Sequence, residues 1–193
     1  MAILEILKYP HPTLRKKSQE VTAFDEDLHR LLDNMYETMC SRNGVGLAAI
    51  QVGVQKRVLI IEIPTEEDDP KNDTQTNRTQ TNHTQTQTIA ESKKNFFEII
   101  NPVFLKKEGN LKWNEGCLSV PEFYEEVDRF ESVTLAFQDR FGEKKILQAQ
   151  GLLSIAIQHE IDHLNGILFV DKLPILKRKK FEKELKRIQK ESK

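Results

Sequence analysis

The sequence predicts an α+β fold. Antiparallel or mixed sheets of short strands pack around a central helix carrying His159-Glu160-Ile161-Asp162-His163, and a basic helix closes the chain. Three observations support this. β-branched runs crowd the middle of the chain, apolar residues recur at helical spacing at both ends, and the two histidines fall within one such helical pattern.

The chain of 193 residues fits a single domain, 1–193, long enough to bury a core without disulfides. Residues 3–13 form a short apolar run stopped by Pro10 and Pro12, an extended arm ending in a turn. Residues 25–41 place Leu28, Leu31, Leu32, Met35 and Met39 on one helical face, with Asp25 as N-cap and Gly44 beyond the end. RVLIIEIP reads as a buried strand.

Between about residues 65 and 95 the composition changes abruptly to TQTNRTQTNHTQTQT, with few apolar residues. Such a segment cannot bury enough surface to offset its ordering entropy, so it reads as a disordered insertion. Its sequon-like triplets at Asn77 and Asn82 are accidents of the repeat. FFEIINPVFL is a strand that either closes at Pro102 or continues past it at a sheet edge. Short strands follow near 111–113, 124–127, 133–138 and 145–149, then a helix from Gly151 with Gly166 as its C′ residue. A charged helix follows at about 174–193.

A formal charge of -1 argues against a nucleic-acid binder taken as a whole, and no specific DNA contact is expected. The N-terminus lacks a secretory pattern, and no apolar run approaches the roughly 20 residues needed to span a bilayer. A soluble, cytoplasmic protein with Cys40 and Cys117 reduced is expected.

The chemistry centres on HExxH. Residues i and i+4 share a helix face, so His159 and His163 can meet one metal ion. Glu160 lies about 100° around that helix and can reach a water on the ion. Leu152, Leu153, Ile155, Ala156, Ile157 and Leu164 surround the motif, and buried ionisable groups need partners. A catalytic metal usually has three protein ligands and an open position. Downstream candidates for the third are Asp171, Glu182 and Glu184. Cys117 in Glu115-Gly116-Cys117-Leu118-Ser119 is the better one, with Gly116 allowing close backbone approach. In GVGLAAIQ, small residues admit a ligand near the backbone, and Gln51 can donate to a developing oxyanion.

GVGLAAIQ, EGCLS and QHEIDH, in this order, together resemble the peptide deformylases. KYPHPTLR and HLNGILFVDKL extend the resemblance to the whole chain outside the insertion. The resemblance implies removal of formyl from the N-terminal formyl-methionine of nascent polypeptides. It implies one divalent metal ion per chain held by Cys117, His159 and His163. Fe(II) is expected in cells, with zinc, nickel or cobalt as possible occupants. Glu160 would be general base and acid, and Gln51 with the Leu118 N–H would hold the formyl oxygen. The backbone of Val45 and Gly46 would pair with substrate, alongside Gly116. Val45, Trp113, Tyr124, Leu152 and Ile155 would receive the methionine side chain. Glu122 stands where many members carry glycine, and Ser154 where a small apolar residue is common.

Residues 172–193 carry ten basic against three acidic side chains. The apolar residues among them, Leu173, Ile175, Leu176, Phe181, Leu185 and Ile188, are partly spaced for one helix face. The segment is either a solvated docked helix or a contact for the ribosome. Two other classes of function remain open on the motifs alone: a metallopeptidase, and a ribosome-associated module with a structural metal.

Overall fold

Helix α1 (Glu26–Ser41) starts where the Asp25 side chain accepts the Leu28 N–H at 3.0 Å, one of the orphan donors of a helix start. Leu28, Leu32, Met35 and Met39 are fully buried along its inner face. Its last carbonyls are closed by Asn43, in the left-handed region at φ 52°, and then Gly44, whose N–H donates to the Met39 carbonyl. Asn43, ahead of the expected glycine, takes the left-handed position. These features come from a computed structural model that describes residues 2–64 and 95–191. Apart from Asn95, the predicted insertion lies outside the described residues.

Five strands form one sheet: β1 (Gly46–Ala48), β2 (Val58–Glu62), β3 (Phe96–Glu108), β6 (Ser132–Gln138) and β7 (Lys144–Gln150), in spatial order β1-β2-β3-β6-β7. A hairpin of β4 (Leu111–Cys117) and β5 (Val120–Arg129) forms a second sheet. Every ladder between these strands is antiparallel. The α+β class is therefore correct, but the strands are not all short, since β3 has 13 residues and β5 has 10.

At Pro102 the second of the two expected outcomes holds: β3 continues past it, and although β3 lies inside the five-stranded sheet, Pro102 stands where the β2 ladder has already ended. The ladder from β2 ends at Val58↔Ile100, and the ladder to β6 shifts register between Ile100 and Val103. The missing N–H of Pro102 therefore falls at a bulge, beyond the last partner on β2. Locally, that stretch is an edge.

The alternation of β2 explains its continuous apolar sequence. Val58 and Ile60 join the cluster around α1, and Leu59 and Ile61 join the cluster around α2 (Gly151–Leu164). All four are fully buried, each contributing about 1.5–3 kcal/mol. On the far face Ala156, Ile157, Ile161 and Leu164 of α2 meet the sheet. The helix ends at Gly166, φ 74°, whose N–H donates to the His163 carbonyl while Ile167 N–H donates to the Asp162 carbonyl.

A third cluster lies behind the β4–β5 hairpin and includes Leu14, Val127, Phe169 and Phe181. Helix α3 (Ile175–Glu191) docks there through Phe181, with Leu185 packed alongside. Ile175 and Leu176, which the spacing grouped with them, stay exposed. No helix among the described residues is long and apolar enough to cross a membrane.

Candidate metal centre

Two elements bring the donors together. Helix α2 presents His159 and His163 one turn apart, with their Nε2 atoms 3.2 Å from each other. The β4–β5 hairpin brings Cys117, at the end of β4, so that its Sγ lies 3.2 Å from His163 Nε2. Leu118 and Ser119 form the two-residue turn, with Cys117 opposite Val120. The three donor atoms lie within 4.8 Å of one another.

A tetrahedral ion at ordinary bond lengths sets two imidazole nitrogens about 3.3 Å apart and a sulfur–nitrogen pair about 3.6 Å apart. The observed 3.2 Å separations fit both within a few tenths of an ångström. The donor set therefore suits a divalent ion. His159 Nδ1 lies 2.8 Å from Glu115 Oε2, a contact in which an Nδ1–H donating to the carboxylate turns the Nε2 of the neutral ring toward an ion. His163 is driven well below its ordinary pKa, by burial first and by its neighbour His159 second. For His159 burial acts downward, but the contacts with Cys117 and Glu115 outweigh it and raise the pKa.

Glu160 is buried beside the three donor residues, and its Oε2 has no hydrogen-bond partner among the described residues. Burial pushes its carboxyl up to about 7. A carboxyl in that range can both take and return a proton near neutrality. A Cβ added to Gly46 would lie 2.6 Å from Glu160 Oε1, so the glycine makes room for the carboxylate.

A cavity of about 880 Å³ opens over this cluster. Val45, Gly46, Gln51, Trp113, Gly116, Cys117, Leu118, Tyr124, Leu152, Ile155, His159 and Glu160 all line it. Every residue predicted for the site lines this cavity except His163, which is buried at 1% exposure with its Nε2 against Cys117 and His159. Trp113 and Tyr124 are exposed on the hairpin, while Gly46 opens the edge strand of the larger sheet, directly after Val45.

Gln51 is set from three sides. Its Oε1 accepts the Ala48 N–H at 2.8 Å, while its Nε2 donates to Ser119 Oγ at 3.2 Å and faces Cys117 Sγ at 3.6 Å. The N-terminal arm clamps the same corner from behind: Leu7 N–H donates to the Gln51 carbonyl and Tyr9 N–H to the Ser119 carbonyl, each at 2.8 Å.

Sequence reasoning missed the polar support behind His159. Glu115 accepts Arg129 Nε at 2.5 Å and Nη2 at 2.8 Å, and Arg129 Nη1 reaches Asp162 at 2.5 Å. Burial alone would raise the Glu115 pKa, but Arg129 and His159 outweigh it and hold the carboxyl down to about 2. No sequence signal marked it: the pairing of β4 with β5 shifts register between Glu115 and Cys117, so alternation along the strand does not fix their faces. Glu122 has φ 62°, the left-handed region that favours glycine, which accounts for the glycine expected there by resemblance.

The fold and this donor set define a metal-dependent hydrolase, with a buried carboxylate beside the ligands and an open cavity above them. The family model for polypeptide deformylase matches residues 3–179. The peptide deformylase of Helicobacter hepaticus is 56% identical over 192 residues, covering 100% of this chain and 95% of that protein. That of Wolinella succinogenes is 54% identical over 98% of this chain and 99% of its own. The crystal structure of a peptide deformylase from Legionella pneumophila superposes with a TM-score of 0.79 at 38% identity, covering 99% of this chain and 98% of that one. The chain belongs to the polypeptide deformylase family. It is a metal-dependent hydrolase that removes the formyl group from nascent polypeptides beginning with formyl-methionine.

Proposed function

We propose that Cys117, His159 and His163 hold the metal and that Glu160 moves the proton in this reaction. The observation that carries the reading is the convergence of three donor atoms within 4.8 Å beside a buried carboxyl raised to about 7. When bound, the divalent ion supplies Lewis-acid polarisation and lowers the pKa of water toward about 7. A thiolate with two imidazoles accepts several divalent ions, and Fe(II) is the proposed occupant in cells, with zinc, nickel or cobalt as substitutes.

The chain's own residues do the rest. Glu160 takes a proton from the attacking water as the new C–O bond forms at the formyl carbon. The Gln51 amide, fixed by Ala48 and Ser119, directs an N–H toward the developing oxyanion, joined by the Leu118 N–H. Glu160 then gives its proton to the departing nitrogen as the C–N bond breaks, leaving formate and a free N-terminal methionine. Val45, Gly46 and Gly116 present backbone to the peptide in an extended pose. Val45, Trp113, Tyr124, Leu152 and Ile155 take the methionine side chain, consistent with their place on the cavity wall.

The whole chain, 1–193, acts as one domain whose sheets are organised around the HExxH helix. None of the residues assigned a role falls in the insertion at about 65–95. The cytoplasm, where nascent chains emerge, is the proposed location. The basic helix at the C-terminus is a candidate contact for the ribosome, supported by the ten basic against three acidic side chains of residues 172–193. Ribosome binding that persists after deletion of 177–193 would overturn that contact. The catalytic reading is tested by incubating a formyl-Met peptide with the metal-loaded protein and quantifying formate and new internal peptide ends. Formate without new ends supports it; new ends without formate would make the chain a metallopeptidase.

A further inference from the structure

Helix α3 lies outside the cavity, yet a deeply buried side chain on it touches both walls of the cavity mouth. Phe181 is 5% exposed. Its ring packs 4.6 Å from Phe123 on β5 and 5.6 Å from Tyr9 in the N-terminal arm, centroid to centroid. The sequence neighbours of these two rings face the other way. Glu122 and Tyr124 flank Phe123, Lys8 precedes Tyr9, and all three line the cavity. Strand alternation makes this split on β5: residues 123 and 125 face α3, and residue 124 faces the cavity. Glu125 strengthens the division, since its Oε1 accepts Lys177 Nζ of α3 at 2.6 Å. On the cavity side the Tyr124 ring lies against Gly116, next to the ligand Cys117.

We infer that Phe181 is a positioning residue for substrate binding, a wedge that sets the spacing between β5 and the N-terminal arm and so shapes the mouth that receives the peptide. The inference rests on the proposed assignment of this cavity to the substrate. The arm and β5 belong to different parts of the sequence, and Tyr9 N–H donates to the Ser119 carbonyl at the base of the mouth. Farther out, the rings of Tyr9 and Phe123 meet through Phe181. Removing the wedge lets the two walls shift relative to one another without touching Glu160, Gln51 or the metal ligands. Binding of the peptide along the mouth should weaken, while the chemical step at its base should persist.

The test compares native protein with Phe181→Ala, Phe181→Leu and Lys177→Ala, using the full chain loaded with metal. The readouts are kcat and KM for a formyl-Met tripeptide, metal content and the melting temperature. Phe181→Ala should raise KM roughly five- to tenfold with kcat within about twofold of native and metal content unchanged. Phe181→Leu, which keeps most of the apolar volume, should restore KM most of the way, and Lys177→Ala should raise it in the same direction by less. A purely structural role predicts a lower melting temperature and less active protein, with native KM in the folded fraction. Native KM in Phe181→Ala would overturn the inference. If that variant fails to fold, native KM in Lys177→Ala, which removes the other tie between α3 and β5, would do so. Absence of formate release by the native chain would instead count against the proposed catalytic reading.

Discussion

Replacing Gly46 by alanine adds a single methyl group at the point where β1 passes Glu160, the proposed general base. The new Cβ would sit 2.6 Å from Glu160 Oε1, against 3.4 Å for the shortest ordinary contact. The carboxylate must therefore retreat by about 0.8 Å, the difference between those two distances. The backbone of Gly46 is ordinary strand, so alanine itself is unstrained there. The stability change should be about 1–2 kcal/mol, because the methyl also meets Glu160 Cδ and Cγ at 3.0 Å and the buried side chain must shift as a whole. Catalysis is less tolerant. A displacement near 1 Å of a group that moves a proton costs about 10²-fold, or about 2.7 kcal/mol in the barrier. The assay is steady-state formate release by Gly46→Ala, with metal content and melting temperature measured on the same sample. A kcat within about threefold of native, with the metal site filled, would refute the claim that Gly46 sets the position of Glu160.

Other perturbations have equally definite outcomes. Gly116→Ala should drive the Tyr124 ring off the cavity wall, raising KM roughly tenfold while leaving metal content intact, as read by kinetics and metal analysis. Arg129→Met leaves Glu115 and Asp162 without their buried cation and should cost about 3–5 kcal/mol in chemical denaturation. Glu115→Gln weakens the hold on His159 Nδ1 and should lower metal affinity about 10–100-fold in a chelator competition. The same carboxyl sets an acid limit. Its folded pKa of about 2 lies below the ordinary 4.5, so its stabilising contribution is complete above 4.5 and is lost as pH falls toward 2. Melting temperatures followed from about pH 5 downward should therefore fall less steeply in Glu115→Gln than in the native protein.

Much of this was legible in the sequence, and the reason is local periodicity. The buried face of α1, the continuous apolar run of β2 and the i, i+4 histidines of α2 follow from spacing alone, because burial acts on one face at a time. Cys117 was legible as a ligand only beside HExxH, since a lone cysteine is usually a small buried hydrophobe. The full length of the hairpin was not legible. Most positions of β4 and β5 are exposed or half-buried, so no apolar alternation marks their ends. The central place of β3 was obscured by Pro102, whose missing N–H is harmless only because β2 stops at its level, a property of register. The support of His159 by Glu115 and Arg129 depends on contact between residues 14 apart in the chain, on two strands of a hairpin whose length no local pattern marks. The wedge at Phe181 depends on how three distant segments pack.

The most direct test of the central claim is formate release from a formyl-Met peptide by native protein and Glu160→Ala, both prepared anaerobically with Fe(II) and checked for metal content. The account predicts turnover by the native chain and a loss of at least about 10²-fold in the variant, with the metal retained by Cys117, His159 and His163. Comparable turnover in both, at equal metal content, would contradict the role assigned to Glu160 and the mechanism built on it.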